Sequence, residues 1–315
     1  MNDFWTGKKV LVTGAMGFVG SHITRKLVDQ GAEVIAVDRV TAFTPAWMAL
    51  GLEKVHVHVR DLEDGPGQYI YDADVVFHLA GMVSVQKCED APLSAVRDNI
   101  MATARVLGAI RQHPKCGAAV FASSDRVYGS RRQPNNEIHA LEPTDVYGAT
   151  KAAADILCAQ AARSGRPVAM LRHVNAYGEL DPHTDHLIPG TILSILRGEE
   201  PVIRSDGSPR KSYLHIDDVV SAYLFLAARV HAGHARGAYN CAMRFQYTVR
   251  EVVDWIADEM DYTGPVKMLS TDLTQQDYQE ILSTSKLGIL GWSSQVPLGV
   301  GLKRVIQHHR SRVKV

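Results

Sequence analysis

Tyr147 and Lys151 stand four residues apart in Asp145–Ser164, a stretch that reads as one long helix, so their side chains share a face. A phenol with a pKa near 10 is a weak base at neutral pH. A neighbouring ammonium favours the phenolate, as would any positive charge brought in with a hydride acceptor. A phenolate so placed can take a hydroxyl proton while hydride leaves the same carbon. Ser124 closes an apolar run and can hydrogen-bond the oxygen on which charge develops. Taken alone, such a Tyr/Lys pair is more often a solvated helix surface. It gains meaning only if a hydride acceptor is held beside it.

The stretch Lys8–Asp38 supplies the means to hold one. Val10-Leu11-Val12 suits a buried strand, glycines follow at 14, 17 and 20, and an amphipathic segment carries Val19, Ile23, Leu27 and Val28 on one face. A second apolar run ends on Asp38. Strand, glycine turn, helix, strand and acid form the dinucleotide-binding unit in its proper context. Gly14 allows the turn, Gly17 lets the backbone approach a pyrophosphate, and Gly20 lets helix and strand pack. The helix N-terminus then faces the phosphates. Asp38 would bind a ribose 2′-hydroxyl and repel a 2′-phosphate, which favours NAD over NADP; Arg39 beside it argues the other way.

Other strands are expected at Val55–Val59, Asp74–Leu79, Ala118–Ala122 and Pro167–Leu171, with a helix over Ala91–His113. This alternation implies an α/β fold, a doubly wound parallel sheet of Rossmann type with ligands beyond the carboxyl ends of its strands. Past Asn175 the pattern loosens into a smaller C-terminal substrate-binding lobe. The expected division is 1–174 for the NAD-binding domain, with segments near 212–242 returning to it, and 175–211 plus 243–315 for the lobe. Lys+Arg and Asp+Glu each total 34, so no basic field invites nucleic acid or an anionic membrane. No apolar run approaches the roughly 18 residues of a spanning helix. Cys88, Cys116, Cys158 and Cys241 are widely spaced and read as reduced thiols of a cytoplasmic protein.

The chain resembles the extended short-chain dehydrogenase/reductases that act on nucleotide sugars. The residues that carry this are TGAMGFVG, Asp38, RDL at 60–62, HLAG at 78–81, DNIMAT at 98–103, SSDRVYG at 123–129, YGATK at 147–151, LRHVNAYG at 171–178, SYLHIDD at 212–218 and LGW at 290–292. They run in family order over nearly the whole chain. The resemblance implies tightly bound NAD, a sugar held by its nucleoside diphosphate, and a homodimer formed through the helices at 91–113 and 145–164. It places backbone groups of Phe18 and Val19 on the pyrophosphate, Asp61 and Leu62 beside adenine, and Leu79 and Ala80 along the nicotinamide ribose. Asn99 and Val174 fall near the cofactor. Ser124, Arg126, Asn175, Leu187, Arg204, Arg210 and Lys211 fall to the substrate. Lys211 stands where most relatives carry an arginine, and Ser212 replaces their aspartate. An arginine expected shortly before STSK is missing, with Gln276 and Tyr278 in that region.

The two residues after Ser124 separate two reactions. Family epimerases place small or apolar residues there, whereas 4,6-dehydratases place an acid; this chain has Asp125-Arg126. Asp125 can protonate a leaving C6 hydroxyl, but Arg126 cannot be the C5 base, because guanidinium does not deprotonate in proteins. Asp125 acts twice, or His173 supplies the base, or no elimination occurs. The expectation leans to an NDP-hexose 4,6-dehydratase of the CDP-glucose type, with the NDP-sugar 4-epimerase as alternative. The bland reading of Asp125-Arg126 is a surface ion pair. A non-catalytic NAD-binding regulator is the reading from another class, and the presence of Ser124, Tyr147 and Lys151 argues against it. Asp181, His183, Asp185 and His186 imitate a metal site, but in an irregular loop they read as a solvated or substrate-covering segment; no metal is expected. His308 and His309 read as exposed, and His56 and His58 as edge or core residues.

Overall fold

The computed structural model describes residues 3–131, 133–269 and 281–312. The chain runs through β1 (Lys9–Thr13), α1 (Phe18–Asp29), β2 (Glu33–Asp38), α2 (Pro45–Ala49), β3 (Val57–Val59), β4 (Val75–His78), α3 (Val85–Asp90), α4 (Pro92–Ala95), α5 (Ala102–Gln112), β5 (Ala118–Ser124), α6 (Val146–Arg163), β6 (Val168–His173) and β7 (Asn175–Tyr177). Next come α7 (Leu187–Leu196), β8 (Val202–Ile203), β9 (Arg210–Lys211), β10 (Tyr213–His215), α8 (Ile216–His231), β11 (Gly237–Cys241), β12 (Tyr247–Thr248), α9 (Val249–Glu259), β13 (Lys267–Met268), α10 (Ser285–Ile289) and α11 (Leu298–Arg310). The single helix expected over Ala91–His113 is α4 and α5 joined by a π-helical segment, Val96–Met101, which holds Asn99. The strand expected over Val55–Val59 shortens to β3.

Seven parallel strands form the main sheet in the order β11-β6-β5-β4-β1-β2-β3. Successive side chains leave a strand on opposite faces, and the core divides accordingly. Val10, Val12, Phe77 and Val120 join the side covered by α1 and α8, while Leu11, Val76, Ala119 and Phe121 join the side covered by α5 and α6. Strands buried on both faces therefore read as continuous apolar runs. The order reverses between β1 and β4, and Thr13 pairs with both Val37 and His78, which aligns the carboxyl ends. A ligand crevice is expected outside those ends. The main sheet takes back a late segment, since β11 pairs with β6. The rest of the later chain forms pairs of short strands, β10 with β7, β12 with β9 and β13 with β8.

Candidate active site

At the crevice Gly14 has φ +68°, and a Cβ there would lie 2.7 Å from the Ala80 amide nitrogen, so the turns after β1 and β4 touch backbone to backbone. A Cβ on Gly20 would collide with the Gly14 carbonyl. Gly17 is the N-cap of α1, and no side chain caps that helix. The backbone groups of Phe18 and Val19 thus open an anion-ready N-terminus. Asp38 accepts from the N–H of Met16 at 2.9 Å and of Val40 at 3.2 Å, which holds its carboxylate against the glycine turn. Arg39 is drawn away into a 2.8 Å ion pair with Asp98, whose other oxygen takes Arg97. A dinucleotide's pyrophosphate and ribose fit a turn whose closest approaches exclude any side chain.

The flanking positions are more varied. Asp61 is exposed and caps the turn at Leu62–Asp64, while Leu62 is buried. Leu79 and Ala80 are half-buried at the end of β4. Asn99, fully buried, braces the neighbouring segments by accepting from Met82 N–H and donating to Met82 O and Thr150 Oγ1. Val174 is buried and donates its N–H to Cys241 O.

Ser124 and Tyr147 meet through their hydroxyls at the start of α6. The Ser124 hydroxyl donates to Asp125 Oδ1 at 2.9 Å and accepts from the Arg126 N–H at 3.2 Å. Asp145 caps α6 with one oxygen on Gly148 N–H at 2.7 Å, and its other oxygen takes Arg126 Nη1 at 2.8 Å. This corrects the surface ion-pair reading: Asp125 is 7% exposed, and Arg126 pairs with the helix cap.

Lys151 donates to Ala122 O at 3.0 Å. Burial pushes the Tyr147 phenol up to about 12, despite its bond to Ser124, and lowers Lys151 to about 8. In the protein by itself, desolvation outweighs the help that a nearby ammonium was expected to give the phenolate.

Sequence reasoning missed the support beneath these groups. Arg172 on β6 grips Asp155 of α6 with Nε and Nη2 at 2.9 and 2.7 Å, and its Nη1 donates to Tyr128 Oη at 2.6 Å. Ser123 donates to Asp155, and Tyr128 donates to Asn240 on β11. The pair lies one helical turn beyond Lys151 and fixes α6 against three strands. An arginine inside an apolar strand and an aspartate in an alanine-rich helix were its signals.

The substrate-side residues lie on a different frame. Asn175 is exposed on β7, and Leu187 opens α7 half-buried. Arg204, just past β8, and Arg210 are exposed and Lys211 is half-buried on β9; both strands belong to short sheets separate from the one that carries Ser124. Gln276 and Tyr278 lie outside the described residues. The loop from 181 to 186 is less solvated than expected, because Asp181 is buried with His183 and His186 against its carboxylate. Asp185 stays exposed. His308 and His309 are half-buried, a correction to their expected exposure. His58 on the edge strand stacks on Tyr69.

The profile of the NAD dependent epimerase/dehydratase family matches residues 10–242, and the chain belongs to that family. It is therefore an enzyme whose cofactor is NAD. A putative UDP-glucose 4-epimerase of Methanocaldococcus jannaschii is 28% identical over 302 residues, covering 94% of this chain and 97% of that protein. A trifunctional UDP-glucose 4,6-dehydratase/UDP-4-keto-6-deoxy-D-glucose 3,5-epimerase/UDP-4-keto-L-rhamnose-reductase of Arabidopsis thaliana is 28% identical over 96% of this chain, which spans only 47% of the plant protein. Among solved structures, the UDP-N-acetylglucosamine 4-epimerase of Methanobrevibacter ruminantium, in complex with UDP-N-acetylmuramic acid, superposes with a TM-score of 0.87 at 26% identity, covering 98% of this chain and all of that one. Among the described residues, no helix is long and apolar enough to cross a membrane.

Proposed function

We propose that the protein is an NDP-hexose 4,6-dehydratase, which oxidises the sugar at C4 and removes water across C5 and C6. Asp125 carries this reading: a buried carboxyl bonded to Ser124, whose hydroxyl also meets Tyr147. A 4-epimerase has no proton to move at this position.

NAD, when bound, supplies the acceptor that takes hydride from C4 and returns it to C6. Tyr147 removes the C4 hydroxyl proton and Ser124 hydrogen-bonds the same oxygen. Asp125 gives its proton to the C6 hydroxyl, which leaves as water. His173 is the base that takes the C5 proton and gives one back to C5 when hydride adds at C6. Its Nδ1 donates to Val174 O at 2.8 Å, and burial lowers its pKa, which leaves Nε2 unprotonated at neutral pH. His173 pairs with Ser124 across β5 and β6. Asn175, Leu187, Arg204, Arg210 and Lys211 are the proposed contacts to the nucleoside diphosphate, with Arg126 beside the sugar. Leu93, Val96, Met101, Ile156 and Leu157 are exposed on the adjacent α4, π-helical and α6 surfaces, which supports a homodimer through these helices. Sedimentation of the wild type and of Leu157→Glu tests this: a monomeric wild type would overturn it.

The 4-epimerase is the second reading, favoured by the M. jannaschii and M. ruminantium likenesses and by Arg126, which cannot serve as a base. Product mass separates the two. A dehydratase product is one water lighter and carries solvent deuterium at C5. We expect Asp125→Asn to lower elimination by about two to four decades, and Tyr147→Phe to lower turnover about a hundredfold or more. An unchanged product mass together with an active Asp125→Asn variant would establish the epimerase.

A further inference from the structure

Between β7 and α7 the run Asp181-Pro182-His183-Thr184-Asp185-His186 folds three potential ligands together. Asp181 Oδ1 lies 2.9 Å from His183 Nδ1, and Asp181 Oδ2 lies 3.3 Å from His186 Nδ1. One donor atom from each of the three residues falls within 4.8 Å of the others. The two imidazoles stack at 4.7 Å between centroids and 17° between planes, so they present the same edge to the carboxylate.

Two features set this cluster apart from an ordinary loop turn. The Asp181 side chain is 1% exposed, and among the described residues no lysine or arginine pairs with it. A buried carboxylate needs a compensating positive charge or several donors. Here its partners are two imidazoles and the His183 N–H at 3.0 Å. The loop is also fixed in place. His186 N–H bonds to His183 O, Gly190 N–H bonds to His186 O, and a Cβ on Gly190 would lie 2.9 Å from Thr184 O. The imidazoles remain reachable from solvent, with His183 and His186 side chains 33% and 51% exposed.

We infer that Asp181, His183 and His186 bind one divalent transition-metal ion of the zinc class. Donors of a tetrahedral zinc lie about 3.3 Å apart for bonds of about 2.0–2.1 Å, close to the two separations above. Two nitrogens and one oxygen suit zinc, cobalt or nickel, whereas magnesium and calcium require mostly oxygen. Binding displaces the Nδ1 protons, so the ion replaces two hydrogen bonds with two metal–nitrogen bonds. Three protein ligands leave a coordination position for water or an anion. This inference is independent of the reaction assigned above.

Chelator-treated protein, dialysed against zinc and analysed for bound metal, should retain one equivalent per chain. Cobalt in its place should show the visible absorption of a low-symmetry site. His183→Gln and His186→Gln alter partly exposed rings and remove no helix cap, because His186 caps α7 without its side chain. Each should weaken zinc binding by at least about a hundredfold, the upper range for loss of a supporting partner alone. The control is the other close imidazole pair, His56 and His58, with centroids 4.5 Å apart. Replacing both with Gln should leave binding unchanged. No retained zinc, retention unaffected by His183→Gln and His186→Gln, or retention lost with the His56/His58 replacement would each overturn the inference.

Discussion

In the main sheet, the side chains of the site lean on main chain. Asp38 is held by the Met16 and Val40 N–H groups, Lys151 by Ala122 O, and Asn99 by both backbone groups of Met82. Beyond Val174 the same work falls to side chains holding side chains. Glu179 takes His215 Nε2 at 3.1 Å and Arg304 Nε at 2.8 Å, while Arg304 also reaches Asp217. Asp181 takes His183 and His186. The first frame is set by strand register; the second is set by charge, so protons and ions can change it.

The largest effect is expected at the buried Asp155–Arg172 pair, a side-chain ion pair within the sheet half like Arg39–Asp98 and Arg126–Asp145 but more deeply buried. Its side chains are 1% and 5% exposed, so removing one partner strands a charge in the interior. Asp155→Asn should cost about 3–5 kcal/mol, read as a fall in denaturation midpoint. Adding Arg172→Met should recover much of the loss. A loss as small as that of a surface pair would mean that the sheet, and not this network, holds α6.

A smaller effect sharpens the contrast from the other side. Burial by itself would raise Glu179, yet hydrogen bonds from His215, its own backbone and Arg304 hold it down to about 2. A carboxylate depressed in the folded state stabilises fully above its unfolded pKa near 4.5, and that contribution fades as pH falls from there towards 2. Glu179→Gln should therefore cost about 0.5–1 kcal/mol at pH 6, allowing for solvent screening, and progressively less at pH 3. Equal losses at both pH values would show that Glu179 acts by packing alone. Hydrogen exchange should place the low-pH loosening around β7, β10 and α11, with β1, β4 and β5 unaffected.

Local pattern specified much of this protein. The glycine turn, the apolar runs of β1, β2, β4, β5 and β6, the helix bearing Tyr147 and Lys151, and Asp38 closing β2 are all short-range features, because a period of two or 3.6 residues is written within a single element. Chemistry by residue type was legible at the same range, hence Ser124, Asp125, Tyr147 and Lys151. Three-dimensional packing alone decided the rest. Nothing near Arg126 in the chain announces that it would turn to Asp145, nor that Arg39 would be taken by Asp98. The buried Asp155–Arg172 pair spans 17 residues and its link to Asn240 over 100. The burial of Asp181, which turns a polar loop into a closed carboxylate–imidazole cluster, likewise depends on what packs above it. Burial sets the protonation of Tyr147, Lys151 and His173 as well, and desolvation is a property of surroundings that a linear sequence does not carry.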